Sequence, residues 1–554
     1  MSPLIPSPQP SQETSSVNAS TPSATALDVV IVGAGFGGLY AIHKFRQQGL
    51  NVRAFEAGDG VGGTWYWNRY PGARCDVESM EYSYSFSDEL QQEWTWSEKY
   101  AQQGEILRYA NHVADRFKLR DAIQFSTRVV SAAFDSESKL WTLRTDRGDA
   151  VTARFFVVAG GCLSLPRMPD FPGRDSFKGK LYHTGTWPHE GVDFSGLRVG
   201  VIGTGSSGIQ AIPRIAEQAR QLTVFQRTAN FSLPAWNIPM PAEYEAWFKA
   251  HYPARREKAR YSSAGIACHP TPDKGALEVP DDQRAKVYEA GWAHGGPGFT
   301  RIYKDILSNE KANETMAEFV RNKIRQKVKD PAVAALLTPT DHAIGTKRIC
   351  VDTDYYETYN RDNVKLVNVR EHPIEEITPK GLRTTEKEYE LDAIVFATGY
   401  DAVTGAILNI DIRVDGGPSL AEKWAHGPKT YLGLMTAGYP NLFMVTGPGS
   451  PSVLTNMITS IEQHIEWIAD CLRYLGQKGV RRMEAQVDFE EAWVRHVNEV
   501  ADTTLFPRAN SWYTGANIPG KPRVFLPYVG GHGVYRMKCA DVAFKGYEGF
   551  TLQP

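Results

Sequence analysis

The sequence is poor in cysteine, in net charge and in long apolar segments, and each shortage excludes a class of protein. Its six cysteines in 554 residues stand singly, so neither a disulfide framework nor a metal site is indicated. A net charge of -2 gives no electrostatic reason to bind nucleic acid or an anionic membrane. No apolar run approaches the roughly 20 residues that span a bilayer. We therefore expect a soluble cytoplasmic protein whose partner is a small molecule.

Residues 1–26 differ in composition from the rest of the chain. The segment is rich in Ser, Thr and Pro, contains no arginine, and lacks a basic stretch followed by an apolar one. These features argue against secretory and mitochondrial targeting signals and predict a disordered tail. The remaining chain is long enough for about two to four domains.

A strand-helix-strand unit built around a glycine turn opens the ordered part of the sequence. The pattern predicts a buried strand from Asp28 to Val32, a helix from Leu39 to Gln48 and a second strand from Val52 to Glu56. Between them, Gly33-Ala34-Gly35-Phe36-Gly37-Gly38 lets backbone amides approach a pyrophosphate at the helix N-terminus. Glu56 supplies a carboxylate that accepts hydrogen bonds from a ribose diol. The alternative is a turn that binds nothing, against which strand, helix and acid argue together.

A second unit of the same type follows later in the chain. Strands are predicted from Arg198 to Ile202 and from Leu222 to Gln226, with a helix from Ile209 to Gln218. The turn Gly203-Thr204-Gly205-Ser206-Ser207-Gly208 again separates strand and helix, but Arg227 stands where a carboxylate would be expected. A guanidinium pairs with a 2'-phosphate that a carboxylate would repel, so this site favours NADPH over NADH. Alternatively, Arg227 caps a solvated strand end.

The two units predict the α/β class, with two Rossmann-like dinucleotide-binding domains and a helical insertion. The strand pattern disappears between Phe231 and Asp341, where Asn313 to Lys327 has helical spacing. It returns at Val364 to Val367 and at Ala393 to Ala397. Ser460 to Tyr474 is predicted as an amphipathic helix, and the last forty or so residues as ordered loops.

Two further segments resemble sequence signatures of the type I Baeyer-Villiger monooxygenases. Phe177-Lys-Gly-Lys-Leu-Tyr-His-Thr-Gly-Thr-Trp187-Pro188 is similar to the fingerprint of that family, and Gly62-Gly-Thr-Trp-Tyr-Trp-Asn-Arg-Tyr-Pro-Gly-Ala-Arg-Cys-Asp76 to its second pattern. Gly345 to Arg348, Ala397 to Gly399 and Ser511 to Asn517 also look like family segments, in the expected order. The resemblance runs from about Leu27 to the C-terminus and is nearest to the phenylacetone and steroid monooxygenase branch.

The resemblance implies a division of the chain into an FAD domain and an NADP domain, each assembled from two pieces. Residues 27–160 and 391–554 would form the FAD domain, and residues 165–230 and 341–390 the NADP domain. Residues 231–340 would form the helical insertion.

The resemblance assigns Arg348 as the catalytic arginine and Asp76 as the carboxylate that orients it. A permanently charged guanidinium stabilises a flavin peroxide anion and then the negative oxygen formed on the attacked carbonyl. On residue type alone, Arg348 would be an ordinary surface arginine. Histidine as a residue type titrates near neutrality, which makes His183 a candidate general base, yet in a linker it is better interpreted as a structural element.

The glycine motifs and the resemblance together give a set of candidate cofactor-binding residues. Within it, Lys347 is assigned to the 2'-phosphate and Trp512 to the region over the nicotinamide and substrate, although a loop tryptophan also serves in packing. The set comprises Gly33, Gly35, Phe36, Gly38, Glu56, Gly63, Thr64, Trp65, Trp67, Asp76, Tyr82, Val129, Met457, Gly203, Thr204, Gly205, Ser206, Ser207, Gly208, Gln210, Arg227, Thr228, Lys347, Arg348 and Trp512.

The expected function is a Baeyer-Villiger oxidation that consumes NADPH and molecular oxygen. It would convert an aryl-alkyl, cyclic or bulky ketone into an ester or lactone, in a monomer that keeps NADP bound to exclude water. One alternative is a heteroatom-oxidising flavin monooxygenase, whose fingerprint lacks the Trp-Pro ending. The other is an FAD-fold binding protein that has lost its cofactor. Trp187-Pro188 and Arg348 favour ketones, and Glu56 counts against the binding protein.

Overall fold

The computed structural model describes residues 27–270 and 272–554, so the tail expected at residues 1–26 lies outside the described residues. The strands are β1 (Leu27–Val32), β2 (Val52–Phe55), β3 (Ile123–Gln124), β4 (Val129–Asp135), β5 (Leu140–Thr145), β6 (Ala150–Val158), β7 (Lys180–His183), β8 (Arg198–Ile202), β9 (Gln221–Gln226), β10 (Ser232–Pro234), β11 (Cys350–Asp352), β12 (Val364–Asn368), β13 (Ile374–Thr378), β14 (Gly381–Thr384), β15 (Glu388–Glu390), β16 (Ala393–Phe396), β17 (Asp411–Val414), β18 (Leu442–Met444), β19 (Arg482–Ala485) and β20 (Phe550–Gln553). The helices are α1 (Phe36–Gln47), α2 (Thr64–Trp67), α3 (Asp88–Glu93), α4 (Gln103–Arg116), α5 (Ser206–Gln218), α6 (Ala242–Ala250), α7 (Tyr252–Tyr261), α8 (Asp281–His294), α9 (Glu310–Lys327), α10 (Pro331–Leu337), α11 (Tyr355–Thr358), α12 (Gly405–Leu408), α13 (Leu420–Lys423), α14 (Met457–Gln477), α15 (Val487–Asp502) and α16 (His532–Phe544).

The larger of two main sheets is mixed and has the strand order β17-β4-β5-β6-β1-β2-β3, with an eighth strand, β18, paired in parallel with β6. Strand β1 lies parallel to β2 and β6, whereas β4, β5 and β6 form an antiparallel meander. Helices α1 and α14 cover this sheet with buried apolar side chains such as Leu39, Ile42, Ile465 and Ile468. We call this sheet and the helices on it the larger unit.

The second main sheet is wholly parallel, with the order β12-β9-β8-β16-β7. A parallel sheet needs apolar cover on both faces, which explains why β16, and β8 after Arg198, are continuous runs of buried residues without a charged side chain. Ile209, Ile212 and Ile215 of α5 pack on one face, and Ile377 and Leu382 of the antiparallel strands β13 to β15 on the other. We call this assembly the smaller unit, and the two units together confirm the α/β class.

The helices between β10 and β11 divide between the two units. Phe248 and Tyr252, on α6 and α7, belong to the hydrophobic core of the larger unit. Val320 and Ile324, on α9, belong to the core of the smaller unit. The segment expected as a single insertion therefore has two parts. Its first helices pack on the larger unit, and α9 packs on the smaller unit.

Two expectations about secondary structure are wrong in detail. The last forty or so residues are not only loops, because α16 is a helix and β20 pairs with β19. Closely spaced glycines on both sides of α16, such as Gly531 and Gly546, hid the helical run between them. Ser232–Pro234 is also a strand, paired in parallel with β11, at the start of the region expected to be helical.

No helix within the described ranges is both long and apolar enough to cross a membrane.

Candidate active site

Both sheets end at one continuous cavity of about 1300 Å³. Its walls include Val32, Phe55 and Ala159 at the carboxyl ends of β1, β2 and β6, and Ile202 and Ala397 at those of β8 and β16. In open α/β sheets, ligands bind outside the carboxyl ends of the strands. The cavity is therefore the candidate active site.

The candidate cofactor-binding residues all line this cavity except Gly38 and Gly208. A Cβ atom at Gly38 would lie 1.9 Å from the carbonyl oxygen of Gly33, and one at Gly208 would lie 2.3 Å from that of Gly203. These two glycines therefore let helix and turn pack closely, instead of facing a ligand.

The glycine turns place two uncapped helix N-termini at the cavity. Helix α1 follows Gly35 and helix α5 follows Gly205, and neither helix has a side-chain cap. The first backbone N–H groups of a helix have no partner within it, so they remain free to bind an anion such as a pyrophosphate. The turns also need glycine, because Gly33 and Gly203 have φ angles of 100° and 110°. The residues present thus fit two dinucleotides.

Glu56 lies at the end of β2 and braces the first glycine turn. Its carboxylate accepts hydrogen bonds from the backbone amides of Ala34 at 2.7 Å and Gly58 at 2.8 Å. Burial raises the pKa of Glu56, and the two amides oppose that shift. Each carboxylate oxygen retains capacity for a second hydrogen bond, so the group can also accept from a ribose.

Arg348 and Asp76 form a bidentate ion pair at the cavity wall. The guanidinium donates from Nε to Oδ2 at 3.0 Å and from Nη2 to Oδ1 at 2.7 Å, while Nη1 donates to the carbonyl oxygen of Val453 at 2.7 Å. Burial alone would lower the pKa of Arg348, but the Asp76 carboxylate more than offsets this effect and raises it. Arg348 is therefore a fixed positive charge inside the cavity.

A side chain of the smaller unit holds the loop that precedes Asp76. Gln210 on α5 accepts a hydrogen bond from the Tyr70 hydroxyl at 2.8 Å and donates one to the carbonyl oxygen of Arg74 at 3.0 Å. This link sets the position of Asp76 relative to the second glycine turn.

Comparison with known proteins identifies the family. Residues 26–237 match the flavin-binding monooxygenase-like family. A Baeyer-Villiger monooxygenase from Pseudooceanicola batsensis is 45% identical over 94% of this chain and 95% of its own length. The chain belongs to the Baeyer-Villiger monooxygenase family. Among solved structures, an oxidised steroid monooxygenase bound to NADP has the same fold as the present chain, with a TM-score of 0.91. The two are 56% identical over 96% of the present chain and all of the steroid monooxygenase.

Another relative of the present chain is named for oxidation of nitrogen instead of a ketone. A phenazine N-monooxygenase from Lysobacter antibioticus is 43% identical over 95% of this chain and 97% of its own length.

Sequence reasoning missed several polar residues that line the cavity. Thr127, Arg370 and Thr446 follow β3, β12 and β18 within three residues, and Asp341 lies in a loop. None belongs to a motif. Their position just after parallel strands is the signal that could have found three of them.

His183, the histidine of the fingerprint, does not line the cavity. It is 2% exposed, and its Nδ1 accepts a hydrogen bond from the backbone amide of Gly185 at 2.9 Å. Burial lowers the pKa of His183, which keeps the imidazole neutral. His183 ends strand β7 of the parallel sheet, so it does not lie in a linker as expected, and this placement supports a structural role.

Proposed function

We propose a role for each group of cavity residues in the reaction of this enzyme, which uses FAD and NADPH to convert ketones into esters or lactones. Gly33, Gly35 and Glu56 would hold the adenosine diphosphate half of FAD, and Gly205 and Arg227 that of NADPH. Bound FAD supplies the redox chemistry that activates oxygen. The Arg348–Asp76 pair carries this proposal, because it places a fixed cation in the cavity that both glycine turns share.

Arg348 acts on the substrate in this proposal. When the carbonyl carbon of a ketone is attacked, negative charge develops on its oxygen, and a guanidinium in a site of low dielectric constant stabilises that charge. Asp76 and the carbonyl oxygen of Val453 hold the guanidinium, so little reorganisation is needed during the reaction.

An apolar wall next to Arg348 suits the carbon skeleton of a ketone. Cys162, Val453 and Met457 line the cavity there, together with Trp512. Cys162 and Val453 are at most 7% exposed. Apolar side chains also exclude water, which favours transfer of oxygen to the substrate over release of hydrogen peroxide.

We further propose that molecular oxygen is the second substrate, that the enzyme is a monomer, and that it works in the cytoplasm. The proposed division assigns residues 27–160 and 391–554 to the FAD domain, and 165–230 and 341–390 to the NADP domain.

N-oxidation is the second candidate function, because the phenazine N-monooxygenase matches this chain almost throughout. NADPH consumption should therefore be measured with aryl-alkyl, cyclic and steroid-sized ketones and with aromatic N-heterocycles, and products identified by mass spectrometry. We expect esters or lactones one oxygen atom heavier than the ketone. N-oxides without any ester from flavin-loaded protein would favour the second candidate, and no oxygenated product of either kind would refute both.

Replacing Glu56 with alanine should weaken FAD retention by about fivefold to 150-fold, because removing a buried charged acceptor costs roughly 1 to 3 kcal/mol. The flavin content after extensive dialysis measures the effect. Glu105→Ala is the matched control, since Glu105 is also 6% exposed and accepts two hydrogen bonds from Ser97, but lies outside the cavity. Equal flavin loss in both variants would contradict the placement of FAD beside Glu56.

A further inference from the structure

A group of charged side chains surrounds Lys347 at the end of the cavity next to the second glycine turn. Arg227, Lys347, Arg370 and Asp341 all line this end. Burial lowers the pKa of Lys347, and the charges of Arg370 and Arg227 lower it further against the opposing effect of Asp341. Three cations facing one carboxylate leave two positive charges unbalanced, which indicates a site for an anion of similar charge.

Arg370 is the member of this group that sequence motifs do not reveal. Its Nη2 donates to the Asp341 carboxylate and, at 3.2 Å, to the hydroxyl of Thr228, which follows Arg227 in the chain. Its Nε and Nη1 have no acceptor within the described residues, so three of its five N–H bonds remain available. Arg370 can therefore keep both protein partners while it binds a further acceptor.

Asp341 is itself held in place. Its Oδ1 lies 2.7 Å from Nδ1 of His342, whose side chain is only 1% exposed and packs edge-on against Phe231. A carboxylate anchored on a buried ring fixes the direction of the Arg370 guanidinium before any ligand arrives. Pre-orientation of this kind reduces the conformational entropy that ligand binding costs.

We propose that Arg370 is a third ligand of the 2'-phosphate of NADPH and helps to select it over NADH. The inference rests on the proposed function, in which Arg227 and Lys347 bind the same phosphate. A phosphate monoester carries about two negative charges near pH 7. That charge matches the excess of the group, and the planar fork of a guanidinium suits phosphate oxygens. NADH lacks this phosphate, so Arg370 should contribute nothing to its binding.

Calorimetric titration of the FAD-loaded protein with NADP+ and with NAD+ tests the proposal without relying on turnover. Because Arg370 is 55% exposed and partly screened, Arg370→Ala should raise the Kd for NADP+ by about tenfold and leave the Kd for NAD+ unchanged. Arg370→Lys should retain part of the affinity, since it keeps the charge but loses the fork. Arg361→Ala is the matched control, because Arg361 is an exposed arginine of the smaller unit that does not line the cavity.

Arg227→Ala, titrated in parallel, distinguishes a failure of the inference about Arg370 from a failure of the proposed function. If Arg227→Ala weakens NADP+ binding and Arg370→Ala does not, the inference about Arg370 is overturned and the proposed function stands. If neither variant weakens NADP+ binding, the 2'-phosphate does not bind at this group of charges. The inference about Arg370 and the proposed function of Arg227 and Lys347 are then both overturned. An equal rise of Kd for NADP+ and NAD+ in Arg370→Ala would also overturn the inference, because it would show a contact outside the phosphate.

Discussion

Replacing Arg348 with alanine is expected to lower ester formation by about a hundredfold to a thousandfold, while NADPH oxidation continues. Loss of one donor that stabilises a developing oxyanion typically has an effect of this size. Hydride transfer from NADPH needs no such oxyanion, so oxygen should still be consumed and released as hydrogen peroxide. Anaerobic mixing with NADPH should bleach the flavin absorbance, and later mixing with oxygen and ketone should yield peroxide without ester.

The Arg348→Ala variant leaves the Asp76 carboxylate without its partner, which by itself destabilises a partly buried site. The double variant with Asp76→Ala removes this complication, and we expect that it too forms no ester. Arg348→Lys keeps a positive charge but cannot pair in two places with Asp76, so it should fall between alanine and wild type. Ester formation by Arg348→Ala at a near wild-type rate would show that another group stabilises the transition state.

Replacing Gly205 with alanine should weaken NADPH binding by about a hundredfold or more, with the fold and FAD content unchanged. A Cβ atom at Gly205 meets no protein atom within 4 Å, and its φ angle of -82° suits alanine. The new methyl group would instead occupy the space in which a pyrophosphate approaches the N-terminus of α5. Two lost charge-assisted hydrogen bonds of about 1.5 to 3 kcal/mol each account for the expected loss.

The Kd for NADP+ measures the effect, and the melting temperature checks the fold. Gly476→Ala serves as the control, because a Cβ there also meets nothing within 4 Å but lies on α14, away from the cavity. Gly208→Ala should behave differently from both and lower the melting temperature, since its Cβ would lie 2.3 Å from a carbonyl oxygen. An unchanged Kd in Gly205→Ala would mean that the pyrophosphate binds elsewhere.

Local patterns along the chain were sufficient to predict the strands and helices around both glycine turns. Strand β8 is found at Arg198–Ile202, as expected. Helix α9 begins at Glu310, three residues before its predicted start, and ends at Lys327 as predicted. These elements carry their own signals, namely apolar periodicity and glycine at positions that require a positive φ. The same signals placed both glycine turns and Glu56 at the cavity, whereas Asp76, Arg348 and Trp512 were found through the resemblance to family segments.

Features that depend on tertiary contacts were not predictable in this way. Arg370 and Thr228 are 142 positions apart and meet only because β12 and β9 pair side by side. The division of the helical segment between two cores likewise follows from packing, since Tyr252 of α7 lies in the core of the larger unit and Val320 of α9 in that of the smaller unit. Helix α16 was missed because turn-forming glycines lie close to both of its ends.

The pairing of Asp76 with Arg348 joins positions 272 residues apart and spans the boundary between the two units. A small separation of the units would break this pair and the Gln210 link while both hydrophobic cores stayed buried. Mild denaturant should therefore inactivate the enzyme reversibly before circular dichroism reports any loss of helix. Resistance to inactivation would then depend on the strength of the contact between the units, and stabilising either core alone would leave the operational lifetime of the catalyst unchanged.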